Sequence, residues 1–299
     1  MTWHRRVPPF FYGGPTREPR DRTALRRAFH IASLACAWSF ALLSGWSWAA
    51  PTEDATFTSH EFAFAGPERI AEGWRSIRLT NQGQDVHQIQ FLKLPKGKTV
   101  EEFRAAITSN RPQIPSWMQR DGGVNSVAPG QEAVAIVHLD PGDYVLICGI
   151  PDAQGRPHVV QGMMRLLHVA RSDEAPHSPP EADATLTARD FSYSMDRTLH
   201  TGLQTIRLRN EGRQAHEAVL VRLTPGASAE DFLDAYVPGR PANPAGSPLG
   251  GLVGIDPGRD GFFLADLKPG RYGVLCFLSD PVTRAPHFAN GMVLNLDVP

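Results

Sequence analysis

Over most of its length the chain alternates apolar and polar positions with a period of two, in short runs closed by turn residues. Ile77 and Leu79 alternate with polar neighbours, as do Ile89 and Phe91. Ala133 to Leu139 and Tyr144 to Ile147 are β-rich runs that follow Pro-Gly turns at Pro129-Gly130 and Pro141-Gly142. Successive strand residues face opposite sides of a sheet, so this period predicts strands with one face buried. Runs this short, spaced by turn signals, predict a two-sheet sandwich. Two stretches break the pattern. Thr99-Val100-Glu101-Glu102 and Ser228-Ala229-Glu230-Asp231 each place a hydroxyl three residues before an acid, the signature of a helix N-cap. They predict short helices over Phe103 to Ile107 and Phe232 to Tyr236, structural inserts expected to cover one end of the sandwich.

The pattern occurs twice. Ser76-Ile77-Arg78-Leu79-Thr80-Asn81-Gln82-Gly83 is echoed by Thr205-Ile206-Arg207-Leu208-Arg209-Asn210-Glu211-Gly212, and Pro141-Gly142-Asp143-Tyr144-Val145-Leu146-Ile147-Cys148 by Pro269-Gly270-Arg271-Tyr272-Gly273-Val274-Leu275-Cys276. Arg78 and Arg207 stand 129 positions apart, Cys148 and Cys276 128, and His158 and His287 129. A near-constant offset across a whole unit marks a duplicated domain. The expected organisation is domain 1 over 56–170, a polar, proline-rich linker over 171–184, and domain 2 over 185–299. The length of 299 residues accommodates two domains of about 110 to 120 residues.

Composition changes this picture at two points. Glycine (27) and proline (26) are plentiful, as many short turns require, and a formal net charge of −1 leaves no electrostatic footprint for nucleic acid. The first fifty residues read differently. Seven arginines from Arg5 to Arg27 precede the apolar run Ile31 to Leu43, and Ser47-Trp48-Ala49 follows with small residues at a cleavage spacing. That order predicts a bacterial export signal over 1–49 and a periplasmic or secreted protein, with no stable membrane insertion after cleavage. Leu25-Arg26-Arg27-Ala28-Phe29-His30-Ile31 resembles a twin-arginine signal. An uncleaved anchor is the alternative, against which the apolar run is shorter than the ~20 residues that span a bilayer. Cys36 lies inside that run and lacks the leucine expected three residues before a lipidated cysteine.

Cys148 and Cys276 are the cysteines left after the signal, and lone thiols in an oxidising compartment call for pairing, ligation or burial. Each follows a strand, and each leads into a loop with a histidine and a methionine: His158 and Met163 in the first half, His287 and Met292 in the second. A further histidine, His87 or His216, follows the Asn-x-Gly turn. Two imidazoles, a thiolate and a weak thioether form the ligand set of a blue-copper site. Taken singly, each residue reads as core or as an ordinary hydrogen-bonded side chain. The recurrence of all four in the same order changes that. His60, His138, His168, His177 and His200 have no histidine counterpart in the other half, whereas His87/His216 and His158/His287 do. A Cys148–Cys276 disulfide is the competing use of the thiols, and it needs two domains to bring these Cα atoms within about 7 Å. Met164 is expected in the core on the strand face opposite Met163, and Trp117 and Met118 at a surface near the first site, without a ligand role.

On these residues each half resembles the cupredoxin family, and the resemblance spans nearly all of 56–170 and 185–298. It implies two tandem Greek-key β-sandwiches, each with a short helical insert and each binding one copper ion through His87, Cys148, His158 and Met163 or through His216, Cys276, His287 and Met292. One departure is the longer Cys-to-His loop, Gly149 to Pro157 and Phe277 to Pro286. The implied role is electron transfer with another exported redox protein such as a c-type cytochrome. Copper storage or delivery, and a metal-free interaction module, are the alternatives. The chain lacks the His-x-His pairs and the His-Cys-His tripeptide of the copper oxidases, and on that ground it is expected not to be an enzyme.

Overall fold

The computed structural model describes residues 54–109, 113–173, 177–236 and 244–299. The signal over 1–49, with its twin-arginine stretch and Cys36, lies outside them. Among the described residues no helix is long and apolar enough to cross a membrane.

The first half runs β1 (Ala55–His60), β2 (Ala63–Ala65), β3 (Arg69–Ala71), β4 (Gly73–Asn81), β5 (His87–Lys93), α1 (Val100–Ile107), β6 (Gln119–Val127), β7 (Glu132–Leu139), β8 (Gly142–Ile147) and β9 (Met164–Ala170). The second repeats it as β10 (Ala184–Arg189), β11 (Ser192–Met195), β12 (Gly202–Asn210), β13 (His216–Leu223), α2 (Ala229–Asp234), β14 (Gly246–Ile255), β15 (Asp260–Leu267), β16 (Gly270–Leu275) and β17 (Val293–Val298). In each half the chain crosses from one sheet to the other between β4 and β5, or β12 and β13, returns for β7 or β15, and crosses again for β8 or β16. This is a Greek-key sandwich of the cupredoxin kind, present twice. Each half also carries a tyrosine corner: Tyr144 donates to the Asp140 carbonyl at 3.0 Å and Tyr272 to the Lys268 carbonyl at 2.8 Å.

The two sandwiches share their sheets. One eight-stranded sheet has the order β11-β10-β12-β15-β7-β4-β1-β2, and a nine-stranded sheet the order β17-β16-β13-β14-β6-β5-β8-β9-β3. At the seam, Ala135 pairs with Phe263 and Val124 with Leu252. Members of both pairs are 128 positions apart, the offset of the two cysteines. Equivalent residues therefore face each other across a local twofold, and the edges of β6, β7, β14 and β15, otherwise open templates for aggregation, are satisfied.

Strand alternation sorts the side chains of the nine-stranded sheet. Ile89, Phe91, Leu146 and Cys148 join the main core between the sheets, while Leu92, Val145 and Ile147 turn outward. Phe103 and Ile107 of α1 cover that outward patch, and Ala229, Phe232 and Leu233 of α2 cover its equivalent, Val219, Val221, Leu223 and Leu275. Both capping boxes are formed. The helices thus cover the outer face of a sheet and not an end of the sandwich, because apolar side chains on that face need burial. Met118 is likewise buried under α1 and not at a surface, with Trp117 packed against it, and Met164 lies on the strand face opposite Met163. Gly123 and Gly251 allow the ladder to close at its bulges. Their φ angles are +134° and +119°, and a Cβ at either would lie 2.0 Å from the carbonyl oxygen of Ile89 or Ala218.

Polar contacts lock the seam. Arg120 and Asp256 pair at 3.4 Å, and the Asp256 carboxylate also accepts from the Arg120 backbone N–H at 2.9 Å. Arg259 reaches across to Asp121 at 3.0 Å, and the Tyr144 hydroxyl donates to the same carboxylate at 2.9 Å. Burial pushes the Asp121 carboxyl up to about 6, against the opposing pull of Arg259. A carboxyl raised in the fold contributes stability below its unfolded pKa and loses it as pH rises through the folded value. Arg259→Ala is therefore expected to cost about 2 kcal/mol near neutral pH, discounted because the guanidinium is part-exposed. The loss shrinks below about pH 5, where Asp121 is neutral. Urea denaturation of wild type and variant at both pH values checks this; equal losses at both would show that Asp121 carries no buried charge.

Candidate metal centre

Each His, Cys, His group is assembled by the same local devices. The upstream histidine opens β5 or β13, and the buried asparagine of the Asn-x-Gly turn holds the loop in front of it. Asn81 donates to the carbonyls of Asp85 (2.7 Å) and Val127 (2.8 Å) and accepts from the Gly83 N–H (2.8 Å). Asn210 does the same with Gln214 (2.8 Å), Ile255 (2.9 Å) and Gly212 (2.9 Å). The glycine is required by close approach: a Cβ at Gly83 would sit 2.7 Å from His87 Nε2, and one at Gly212 2.6 Å from His216 Nε2.

The cysteine and the second histidine are tied by the backbone. Val159 N–H donates to the Cys148 carbonyl at 2.9 Å and Met163 N–H to the His158 carbonyl at 3.0 Å; Phe288 to Cys276 (2.9 Å) and Met292 to His287 (3.1 Å) repeat this. A single 3-10 turn, His158–Gln161 or His287–Asn290, ends at a left-handed glycine, Gly162 or Gly291, each with φ of 107°. The extra loop residues fold into a side excursion. A bridge of Pro151 to Pro157, or Ser279 to Pro286, closes its neck, and Asp152 or Asp280 gathers its N–H groups. The long loop therefore leaves the histidine beside the cysteine.

The donor atoms converge. His87 Nδ1 and His158 Nδ1 are 3.1 Å apart, and Cys148 Sγ is 4.0 Å and 3.5 Å from them. In the second half the imidazole Nδ1 atoms of His216 and His287 are also 3.1 Å apart, with Cys276 Sγ 3.3 Å from His287 Nδ1. Donors that each stand about 2.0 to 2.3 Å from one shared ion must lie roughly 3 to 4 Å from one another, so the spacing fits. These two trios are the groups with metal-ligating spacing among the described residues. Met163 and Met292 are fully buried in the same core cluster as the cysteines. Both thiols are free, which removes the disulfide reading. His60, His138, His168, His177 and His200 join neither trio.

Burial sets the protonation states. Desolvation, then the neighbouring imidazole, lowers His87 and His287 to about 4, and desolvation lowers His158 and His216 as well. All four rings are neutral at physiological pH and carry a lone pair. Burial pushes the Cys148 thiol up to about 12 and the Cys276 thiol in the same direction. A soft cation displaces such a proton on binding.

Four residues beyond the expected set complete the sites. Glu61 lies 3.6 Å from His87 Nε2 and Asp85 3.9 Å from His158 Nε2. In the second half Asp190 accepts from His216 Nε2 at 3.1 Å and Gln214 Oε1 from His287 Nε2 at 3.0 Å. In the second half, holding the proton on Nε2 leaves Nδ1 free to bind metal; in the first, Nε2 of His87 and of His158 faces a carboxylate beyond hydrogen-bond distance. Beside these acids, Phe62 and Phe191 stand edge-on to His158 and His287, with centroids 5.3 Å apart in both halves. Both phenylalanines have left-handed backbones, φ 62° and 66°, a conformation costing about 1 to 3 kcal/mol in a bulky residue. The same strain held in both copies marks a positional demand, the shielding of the loop histidine. The repeat Glu61-Phe62-Ala63-Phe64 and Asp190-Phe191-Ser192-Tyr193 was the sequence signal for them.

No family model and no curated protein matches the sequence. Among solved structures the chain is similar to a dithionite-reduced auracyanin from Roseiflexus castenholzii, at 19% identity over 38% of this chain and 94% of that one, with a TM-score of 0.26. It is similar to a multicopper oxidase at 14% identity over 82% of this chain and 88% of that one, with a TM-score of 0.24. A copper nitrite reductase from Nitrosomonas europaea matches at 15% identity over 82% and 93%, with a TM-score of 0.24. The expectation that this chain is not an enzyme is corrected: two of these three similar proteins bear the names of enzymes, so the missing oxidase tripeptide does not exclude catalysis.

Gly212→Ala and Gly83→Ala are each expected to destabilise the protein by about 1 to 3 kcal/mol, because the new methyl must displace an imidazole held on every side. Chemical denaturation measures the loss, and the imidazole NMR signals of His216 or His87 should shift. Unchanged stability and unmoved signals would mean that the turn does not press on the ring.

Proposed function

We propose that this is an exported copper protein with one type-1-like centre in each half, built for single-electron transfer. His87, Cys148 and His158 would hold the ion of the first centre, with Met163 as a further, weaker donor; His216, Cys276, His287 and Met292 would do the same in the second. The single observation that carries the proposal is the convergence of two Nδ1 atoms and one Sγ in a buried pocket, twice, on equivalent residues. Two nitrogens and a soft sulfur suit copper in both oxidation states, and zinc sites more often close with four strong ligands.

Bound copper would supply a one-electron change between Cu(II) and Cu(I). The protein's contribution is rigidity and dryness. The Asn-x-Gly turn fixes one imidazole, the backbone bonds between Cys148 and Val159 and between His158 and Met163 fix the other three groups, and Phe62 or Phe191 shields the loop histidine. Donors held in place beforehand would need little movement when the charge on a bound ion changes. The signal over 1–49, the domain limits 56–170 and 185–299 with the linker 171–184, and a partner such as a c-type cytochrome belong to the same proposal. They rest on the sequence pattern.

The full mature chain, loaded with copper and dialysed, is expected to hold two ions and to absorb visible light strongly. Cys148→Ser and Cys276→Ser should each remove one ion and part of the absorption. Asp190→Ala should weaken the second centre roughly 10- to 100-fold while leaving the first unchanged, since a partner on the far ring nitrogen tunes ligand strength. Equal copper in wild type and both cysteine variants would sink the proposal.

A further inference from the structure

Between the two centres, on the outer face of the nine-stranded sheet, lies a cavity of about 600 Å³. It lies beside both. Its lining includes Gln88, Gly149, Glu217 and Phe277, which are the residues directly after His87, Cys148, His216 and Cys276. Strand alternation explains this: the four donors turn inward, so their successors turn outward, toward one shared space.

The floor of this cavity is polar where the rest of the outer face is not. Under α1 and α2 that face carries leucine, valine and isoleucine. At the seam it carries Gln88, Gln90 and Glu217, all buried. Buried polar side chains are unfavourable unless paired. Gln90 donates to the Gly254 carbonyl at 3.1 Å, and Glu217 accepts from Asn125 at 3.2 Å and from the Phe277 N–H at 3.0 Å. Gln88 is different. It is 7% exposed, and its side-chain amide opens onto the cavity without a hydrogen bond to any described residue. The charges are unequal in the same way. Asp256 is matched by Arg120 at 3.4 Å and Arg213 by Asp190 at 3.1 Å; Glu217 meets no cation among the described residues, and Arg284 bonds the Gln113 side chain at 2.8 Å and has no carboxylate partner among them. Ile114, Ile150, Leu278 and Phe277 supply an apolar wall.

An amide open to the cavity, a guanidinium without a carboxylate partner and an apolar wall suit one class of occupant. We propose that the seam cavity binds one small organic anion per chain, a carboxylate or phenolate on an apolar body, with its charge toward Arg284 and its polar edge toward Gln88. This deepens the copper reading by naming what sits between the centres, but it concerns residues that are not ligands, so the two stand or fall separately.

The test is calorimetric titration of the full chain with benzoate as the probe and benzamide as its neutral counterpart, in metal-free and copper-loaded protein. One benzoate per chain is expected in both, with benzamide weaker. Arg284→Gln should weaken benzoate roughly tenfold, the usual worth of one charge-assisted contact. Ser116→Trp, at the exposed rim, should reduce binding of both probes, with unchanged thermal unfolding showing that each variant is folded. No binding up to about 10 mM, equal binding of benzoate and benzamide, or an unchanged affinity in Arg284→Gln would each overturn the proposal. Benzoate binding that persists in Cys148→Ser while copper is lost would support it independently of the metal.

Discussion

Keeping two imidazoles and a thiol together in an apolar interior is the constraint on which this fold turns. Each group loses water on burial, and the donors sit close enough that their lone pairs face one another. Nothing about the isolated residues favours that arrangement. It exists because the sandwich leaves them no alternative: one histidine begins a central strand, the cysteine follows the neighbouring strand, and backbone hydrogen bonds fold the loop back onto it. The strained Phe62 and Phe191 belong to the same account. A left-handed phenylalanine persists only where its surroundings over-determine it, and here the β1–β2 and β10–β11 turns must deliver an acid to one ring and an aromatic edge to the other.

The two centres share their ligands and differ in what surrounds them. Glu61 corresponds to Asp190, Asp85 to Gln214 and Gln88 to Glu217, each pair 129 positions apart. The shorter Asp190 reaches its imidazole at 3.1 Å, where Glu61 stays at 3.6 Å; both carboxylates also accept from the two backbone N–H groups of the facing turn. Gln214 bonds His287 and passes the contact on to Asp280 at 2.8 Å, and Asp85 has no such onward partner in the corresponding place. A ring whose far nitrogen is held by an acceptor is both better oriented and a stronger donor. Duplication kept the donor set and varied the acceptors, so the halves are not interchangeable copies of one centre.

The sandwich, the repeat and the two His, Cys, His groups were legible because each rests on a local signal: period-two alternation, a constant offset, and residue types with few other uses. Asn81 and Gly83 were visible as a turn, but not as the clamp on His87, since the clamp depends on how near Nε2 comes to Cα. The joined sheets were not legible. Edge pairing of β7 with β15 involves alternating residues that read the same whether an edge is open or paired. The helices were predicted in the right places and assigned the wrong surface, because a capping box says where a helix starts and nothing about what it lies on. Exclusion of catalysis failed for a related reason: it relied on one family's tripeptide, and absence of a motif limits only the chemistry that needs that motif.

Joining the halves edge to edge also explains why polar residues survive on a sheet face that is otherwise apolar. Each helix covers outward side chains of its own half, Leu92 of β5 and Val219, Val221 and Leu223 of β13 among them, and neither apolar cluster takes in Gln88, Gln90 or Glu217. In one half alone that part of the face would lie at a sheet edge, where glutamine and glutamate are ordinary surface residues. Joining the halves makes that edge an interior floor, where Asn125 donates to Glu217 and Gln90 to the Gly254 carbonyl across the seam. Gln88, one residue after His87, and Arg284, three residues before His287, both line that space, and an amide and a guanidinium facing one shared void are the physical reason to regard the seam as a site and not as a packing defect.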